Sequence, residues 1–174
     1  MCDEIETERL RLRPYRPDDI DRLAALYADP EVTAYTKLGR LDRGQAEATL
    51  EGYLADWRDT ASGMYAAILK ADASYAGECG LFTLPRSGER ALRYAFHKHL
   101  WGRGLAVEAV AGVLDQVFGR LGLERLVSFV EAPNEASHRV MRKLGLTVDR
   151  VASSPKAELY VYAVTAGQWL ARRA

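Results

Sequence analysis

The sequence predicts a single mixed α/β sheet, mostly antiparallel, of about seven strands flanked by helices. Three observations predict it. Apolar periodicity switches between two and 3.6 residues in the order β-α-α-β-β-β-α-β-α-β-β. Short turn-rich connections join the three consecutive strands in the middle of the chain, as in antiparallel hairpins. A strand, a glycine loop, a long amphipathic helix and another strand follow, which is a βαβ crossover and places one parallel pair in the sheet.

The elements read as follows. Arg9-Leu10-Arg11-Leu12-Arg13 alternates strictly and is the first strand. Pro17-Asp18-Asp19 opens a helix whose stripe is Ile20, Leu23, Leu26 and Tyr27, and Asp29-Pro30 ends it. Asp42 is an N-cap candidate for a second helix using Ala46, Leu50, Tyr53, Leu54 and Trp57. Strands are expected over Met64 to Leu69, Tyr75 to Leu84 and Arg90 to Phe96. The last has Leu92, Tyr94 and Phe96 on one face and Arg93, Ala95 and His97 on the other. Val107, Val110, Ala111, Leu114, Val117, Phe118 and Leu121 give the long helix its apolar stripe, with Gly122 as its stop. Leu126 to Val130 is a strand, and Asn134-Glu135-Ala136-Ser137 opens a short helix ending at Leu144-Gly145. Two strands around Leu146 to Val151 and Glu158 to Val164 lead to a terminal turn capped by Thr165.

The 174 residues suit one domain spanning 1–174, with no internal repeat and no linker. Hydrophobic content of 48% and charged content of 28% place the chain among ordinary globular proteins. Lys plus Arg equals Asp plus Glu, so no global positive charge invites nucleic acid, and direct nucleic-acid binding is not expected. Cys2 and Cys79 make no disulfide framework, and no metal-type Cys/His spacing exists. No apolar run is long enough to span a membrane, and the acidic Met1-Cys2-Asp3-Glu4 is unlike a signal peptide. The expectation is a reduced cytoplasmic protein, a monomer or homodimer, without membrane partners.

Trp101-Gly102-Arg103-Gly104-Leu105-Ala106 is the most informative stretch. A glycine loop that opens a helix gathers unpaired backbone N–H groups at the positive end of the helix dipole, which makes an anion site. Two phosphate loops are excluded. A P-loop needs Lys followed by Ser or Thr after its last glycine, where Leu105-Ala106 stands. A dinucleotide fingerprint needs a small residue where Val107 stands. Taken alone, a bare Gly-x-Gly reads first as a tight strand-to-helix turn, and its context decides for the anion site.

The element order and these motifs together resemble the GNAT superfamily of N-acetyltransferases, particularly its RimJ/RimL-type branch. The resemblance covers nearly the whole chain. It rests on Thr7 to Pro14, on Asp29-Pro30-Glu31-Val32 followed by Tyr35, and above all on Leu100-Trp101-Gly102-Arg103-Gly104-Leu105-Ala106-Val107-Glu108-Ala109 and Asn134 to Leu146. It implies a GNAT-like acyl-CoA N-acyltransferase fold and acetyl-CoA as donor. By resemblance, backbone from Gly102 through Arg103, Gly104, Leu105 and Ala106 to Val107 would hold the pyrophosphate. Phe96, His97 and Lys98 would pair with the pantetheine arm, and Asn134 and Ser137 would lie near the thiol. Asn134 reads equally as a plain helix cap, and Arg103 equally as a solvated surface side chain.

The chain departs from the family pattern. Met141 stands where many relatives carry a tyrosine that protonates the leaving thiolate, and Ser137 is the natural replacement. Ala91-Leu92-Arg93-Tyr94 stands for a usual Glu-Leu-Gly-Tyr, so a carboxylate is lost and a cation gained.

Acetyl transfer requires an amine free of its extra proton, donors for the developing oxyanion, and an acid for the thiolate. A protein α-amine, with a pKa of about 7.7–8.0, needs less help than a lysine near 10.4. Base candidates are Glu78, His97 and His99. Glu78 also reads as an exposed strand carboxylate, while His99 and His138 read as surface residues. A backbone N–H near Phe96 or His97 is the oxyanion donor, and Ser137 the acid candidate. Cys79 reads as a small buried hydrophobe rather than a nucleophile, so direct transfer in a ternary complex is expected. Tyr160 and Tyr162 read as core, and Trp57, Tyr35 and residues 37–40 as candidates for the acceptor entrance. The leading acceptor is a protein or peptide N-terminus (RimJ/RimL-like, with a ribosomal protein as one candidate). The alternatives are a small-molecule amine such as an aminoglycoside or polyamine, and a non-catalytic acyl-CoA sensor on the same fold.

Overall fold

The computed structural model describes residues 4–174, so Cys2 lies outside the described residues. Two short strands, β1 (Ile5–Glu6) and β2 (Leu10–Pro14), precede α1 (Ile20–Ala28), α2 (Pro30–Thr33) and α3 (Arg43–Thr60). Strands β3 (Met64–Leu69), β4 (Tyr75–Thr83) and β5 (Arg90–Phe96) lead to α4 (Leu105–Gly119) and β6 (Arg125–Glu131). After α5 (Glu135–Leu144), β7 (Thr147–Ser153), β8 (Glu158–Thr165) and α6 (Ala166–Arg173) complete the chain. The strands form one eight-stranded sheet in the order β1-β2-β3-β4-β5-β6-β8-β7. Among the described residues only the β5–β6 pair is parallel. The strand beyond the expected seven is β1, two residues long and paired through Ile5 opposite Leu12 and Glu6 opposite Arg11. It is too short to leave a periodic signal.

Local chemistry explains most boundaries. Asp42 caps α3 in a reciprocal box with Gln45, and Thr165 caps α6 in the same way with Gln168. Asn134 caps α5, which ends at Gly145 in the left-handed conformation. α1 stops where Asp29 turns extended before Pro30. Pro30 then starts α2, a single turn capped by Asp29 that the sequence pattern did not reveal.

Helices cover both faces of the sheet. On one face, α4 buries Leu105, Ala109, Val110, Val113, Leu114, Val117 and Phe118 against Leu10, Leu12, Leu81, Leu92 and Phe96. Leu121, expected to end the α4 stripe, is exposed because the helix stops at Gly119. On the other face, Leu23, Leu26, Tyr27, Leu50 and Tyr53 of α1 and α3 pack on Met64, Ala66, Ile68 and Ala95. Strands that alternate apolar and polar residues are therefore buried on both sides. Arg13, a charged position of the alternating first strand, is buried and bonded to Asp19 through both terminal guanidinium nitrogens at 2.7 and 2.8 Å. Burial alone would raise the Asp19 pKa. The bonds from Arg13, the Arg16 N–H and Arg22 outweigh it and hold the carboxyl below its ordinary value.

The sheet parts in its middle. β5 and β6 pair only at Ala91 opposite Val127 and Leu92 opposite Ser128, and beyond these residues they run on unpaired. Each keeps its other neighbour: β4 pairs with β5 up to Phe96, and β8 with β6 up to Glu131. The result is a wedge-shaped split opening toward the carboxyl ends of two parallel strands. On the other edge of β5, Gly77 of β4 pairs opposite Phe96 with φ 149°. A Cβ there would lie 2.1 Å from the Ala95 carbonyl oxygen, so only glycine lets the strands approach this closely.

Candidate functional site

The split exposes backbone. His97 N–H bonds to the Ala76 carbonyl at 3.0 Å, which fixes the phase of the β4–β5 ladder. By alternation, Arg93, Ala95 and His97 turn their N–H and C=O toward β4, and Leu92, Tyr94 and Phe96 turn theirs toward β6. Leu92 meets β6, whereas Tyr94 and Phe96 lie beyond the last paired residues. The Phe96 carbonyl takes the Trp101 indole N–H at 2.8 Å. The groups left facing the split are the N–H and C=O of Tyr94 and the N–H of Phe96. Of the two residues proposed for an oxyanion donor, His97 is thus already engaged and Phe96 is not.

At the mouth of the split lies the glycine loop. Gly102 and Gly104 have φ of 76° and 80°, a region costly for residues with a Cβ. Gly104 is the N-cap of α4 and supplies no side-chain cap, in contrast to Asp42, Asn134 and Thr165 at α3, α5 and α6. The first intrahelical bond is Glu108 N–H to the Gly104 carbonyl at 3.1 Å, so the N–H groups before it are directed outward. Leu105 is buried beneath the loop, Ala106 and Val107 are half-buried, and Arg103 is exposed, its side chain without a partner among the described residues.

The loop is clamped from behind by residues that sequence reasoning did not assign to the site. Glu108 accepts from the Thr7 hydroxyl and the Arg9 N–H, both at 2.6 Å, and from Arg9 Nε at 2.7 Å. Arg9 Nη1 donates to the Arg103 carbonyl at 2.8 Å. Burial tends to raise the Glu108 pKa, but the bonds from Thr7 and Arg9 prevail and hold it low. The signal available for this clamp was a carboxylate in the first turn of the glycine-loop helix, together with the Thr7-Glu8-Arg9 stretch.

On the α4 side of the sheet, Asn134 is the helix cap: its side chain accepts from Ser137 N–H at 3.2 Å. Tyr94 Oη donates to Ser137 Oγ at 3.0 Å. Met141, one turn beyond Ser137, is fully buried, as is Cys79, whose thiol is pushed up by burial and then by Glu78. His138 is buried as well, not on the surface. Its Nδ1 lies 2.8 Å from Tyr162 Oη, and its ring packs edge-on against Tyr160.

Glu78 occupies the opposite face, under α1 and α3, and is fully buried rather than exposed. Tyr27 and Tyr53 donate to its Oε1 at 2.6 and 3.1 Å, and Tyr15 donates to Oε2 at 2.9 Å. Arg93 Nε lies 3.7 Å from Oε1, and Arg93 Nη2 donates to Tyr53 Oη at 2.5 Å. The cation that replaces the family's usual glycine therefore neutralises this buried carboxylate. The Glu78 cage also reaches toward the split, because Tyr15 Oη lies 2.6 Å from Tyr75 Oη, and the Tyr75 ring packs edge-on against His97 at 5.8 Å.

His97 is half-buried at the end of β5 and stacks on the exposed His99 at 5.7 Å. Burial, then His99, lowers its pKa below the ordinary histidine value. Lys98 is exposed and paired with Glu31 at 2.6 Å. Trp101 is 50% exposed despite its size, with its ring anchored by the bond to Phe96. Tyr35 is exposed, whereas Trp57 is buried and donates to the Met64 carbonyl at 2.8 Å, so it belongs to the core.

A parted parallel pair beside an uncapped glycine-opened helix agrees with what comparison finds. The acetyltransferase (GNAT) domain family matches residues 9–147. The chain belongs to the GNAT acetyltransferase family. An uncharacterized N-acetyltransferase, p20 of Bacillus licheniformis, is 31% identical to this acetyltransferase over 140 residues, 79% of each chain. A crystal structure of an acetyltransferase from Agrobacterium tumefaciens is 29% identical, with a TM-score of 0.81 over 93% of this chain and 94% of that one. The ribosomal L7/L12 α-N-protein acetyltransferase RimL, solved in complex with coenzyme A, superposes with a TM-score of 0.82 at 15% identity. That match covers 94% of this chain and 98% of RimL, a likeness of fold alone. GNAT enzymes use acetyl-CoA, and the residues of this acetyltransferase fit such a ligand. Outward N–H groups at α4 and the exposed Arg103 suit a pyrophosphate, and the unpaired N–H groups of Tyr94 and Phe96 suit an extended amide chain.

Among the described residues no helix is long and apolar enough to cross a membrane.

Proposed function

We propose that this GNAT acetyltransferase is a cytoplasmic RimJ/RimL-type enzyme that acetylates the N-terminal amine of a protein or peptide by direct attack in a ternary complex. The observation that carries the reading is the split between β5 and β6, with the unpaired Tyr94 and Phe96 amides lying alongside the uncapped start of α4. Acetyl-CoA supplies the acetyl thioester when bound. Backbone from Gly102 to Val107 would hold its pyrophosphate, and β5 would pair with its amide arm as an added strand.

The chain's own residues then divide the chemistry. His97 is the base best placed to take the acceptor's proton. It is half-buried at the split and neutral at physiological pH. Glu78 is less suited to touch the acceptor, because both its oxygens are filled by tyrosine donors and it is sealed from solvent. The Phe96 N–H is a donor for charge developing on the acetyl oxygen. Ser137 holds its hydroxyl where a departing thiolate needs a hydrogen bond.

The acceptor class follows from base strength and charge. A histidine of lowered pKa matches an α-amine of pKa about 7.7–8.0 better than a lysine near 10.4. The rim of the split carries His97, His99 and Arg103, with Lys98 paired to Glu31, a neutral-to-basic lining that suits phosphates better than a polycation such as an aminoglycoside or spermidine. The test measures acetyl-CoA binding by calorimetry and then CoA release with three amines: a peptide with a free N-terminus, the same peptide N-blocked but bearing a lysine, and spermidine. Turnover with the free N-terminus alone is expected. Preference for spermidine would overturn the acceptor assignment, and tight binding without turnover on any amine would favour a sensor.

A further inference from the structure

A serine hydroxyl has one hydrogen to give and two lone pairs to fill. Ser137 is fixed at two points: its backbone N–H goes to Asn134, and its Oγ accepts from Tyr94 Oη at 3.0 Å. The Ser137 hydroxyl hydrogen itself finds no acceptor among the described residues. Tyr94 reaches Ser137 from β5, two residues before Phe96, at the point where the strand borders the split. Burial, as the largest effect, raises the Tyr94 phenol well above its ordinary pKa, so it remains a donor throughout the physiological range. Met141, the next α5 residue on this face, offers no proton at all.

We propose that Tyr94 is the positioning residue for the leaving-group side of the reaction: by donating to Ser137 Oγ it fixes the serine rotor and directs the single free hydroxyl hydrogen toward the thioester sulfur. This rests on the reading above, in which Ser137 lies beside that sulfur. With one lone pair of Oγ occupied by the phenol, the hydroxyl cannot turn its hydrogen back toward Tyr94. Accepting a bond also polarises the serine into a better donor. The tyrosine that many relatives carry at the Met141 position is thus answered from another element, by a phenol that acts through the serine rather than on the sulfur.

The test titrates the thiol of bound CoA, followed by thiolate absorbance, in the wild type, Tyr94→Phe, Ser137→Ala and the double variant. CoA is the probe and no acceptor is needed. Ser137→Ala should raise the pH at which the bound thiol ionises by about one unit, the worth of one hydrogen bond to a charged group. Tyr94→Phe should raise it by roughly half as much, with CoA affinity changed less than about threefold. The double variant should titrate with Ser137→Ala, because Tyr94 acts only through Ser137. An unshifted Tyr94→Phe beside a shifted Ser137→Ala, or a double variant shifted beyond Ser137→Ala, overturns the role of Tyr94. An unshifted Ser137→Ala instead removes the placement of Ser137 at the sulfur. Should Tyr94→Phe fold poorly, a fluorinated tyrosine at position 94 keeps the ring and strengthens the donor. It should lower the titration below the wild-type value, and an unchanged or raised value counts against the proposal.

Discussion

The imidazole of His97 stays neutral further into acid than an ordinary histidine, because burial and the neighbouring His99 both oppose its charged form. The consequence for a base is definite in sign. A base works when neutral, so activity is retained as pH falls through about 6.5, the ordinary histidine value, and is lost only at the lower folded-state pKa. The acid limb of kcat, measured with saturating acceptor so that the amine's own titration does not intrude, should therefore have its midpoint below about 6.5. His97→Gln should abolish that limb and lower kcat by about 100-fold. A limb that survives the substitution would transfer the role of base elsewhere. Residue identities in this region were legible from the chain, since His97 follows the strand and precedes the glycine loop. The Glu78 environment was not. Its tyrosine donors at positions 15, 27 and 53 and its ion-pair partner Arg93 lie up to 63 residues from the carboxylate they surround. Local pattern carries no trace of a cage assembled at such distances, and so a saturated buried carboxylate resembled an exposed one. Tyr94 is the opposite case: sharing a strand face with Leu92 and Phe96 accounts for its ring and leaves its hydroxyl as the hint of another use.

At the scale of elements, the loop and α4 act as one part. Left-handed glycines turn the chain, Glu108 fastens the first helical turn to Thr7 and Arg9, and Arg9 ties back to the Arg103 carbonyl. The clamp keeps the outward N–H groups aimed at one place without placing any side chain there. Gly104→Val separates the two functions of the glycine. A Cβ at 104 would meet only Arg9 Nη2, at 3.5 Å, so the fold loses no packing space. The positive φ costs about 1–2 kcal/mol for a residue with a Cβ, which lowers Tm by roughly 2–8 °C in a chain of this size. The left-handed φ that valine resists is what turns the loop and aims its N–H groups, so affinity for CoA should fall at least about 100-fold while the variant still folds. Calorimetry and a thermal melt on one sample decide it, and near-wild-type CoA affinity in a folded variant would remove the loop from the phosphate site. Periodicity and punctuation revealed nearly every helix and strand here, because caps such as Asp42, Asn134 and Thr165 and stops such as Gly145 are local signals. They missed β1 and α2, of two and four residues, since neither is long enough to show a period.

At the scale of the whole molecule, the sheet is two antiparallel blocks, β1 to β5 and β6 to β8 with β7, joined through only two backbone pairings between β5 and β6. Helix α4 and its loop bridge the blocks at the place where backbone pairing fails. An extended amide chain lying in the split would complete the ladder on the β5 side, much as a peptide augments a sheet edge. Binding at a CoA concentration of about 100 times Kd contributes about 2.7 kcal/mol, or roughly 5–10 °C in Tm for a chain of this length. That figure would hold for a ligand bound anywhere. Hydrogen exchange resolved by residue locates it. Ala95 N–H faces β4 and is already bonded, so CoA should slow its exchange only by the global stabilisation. Tyr94 and Phe96 N–H face the split, and their exchange should slow by at least about tenfold more, since a local opening is then closed as well. Equal protection at positions 94, 95 and 96 would mean that the ligand stabilises the fold without entering the split, and the strand-like role of β5 in holding it would have to be abandoned.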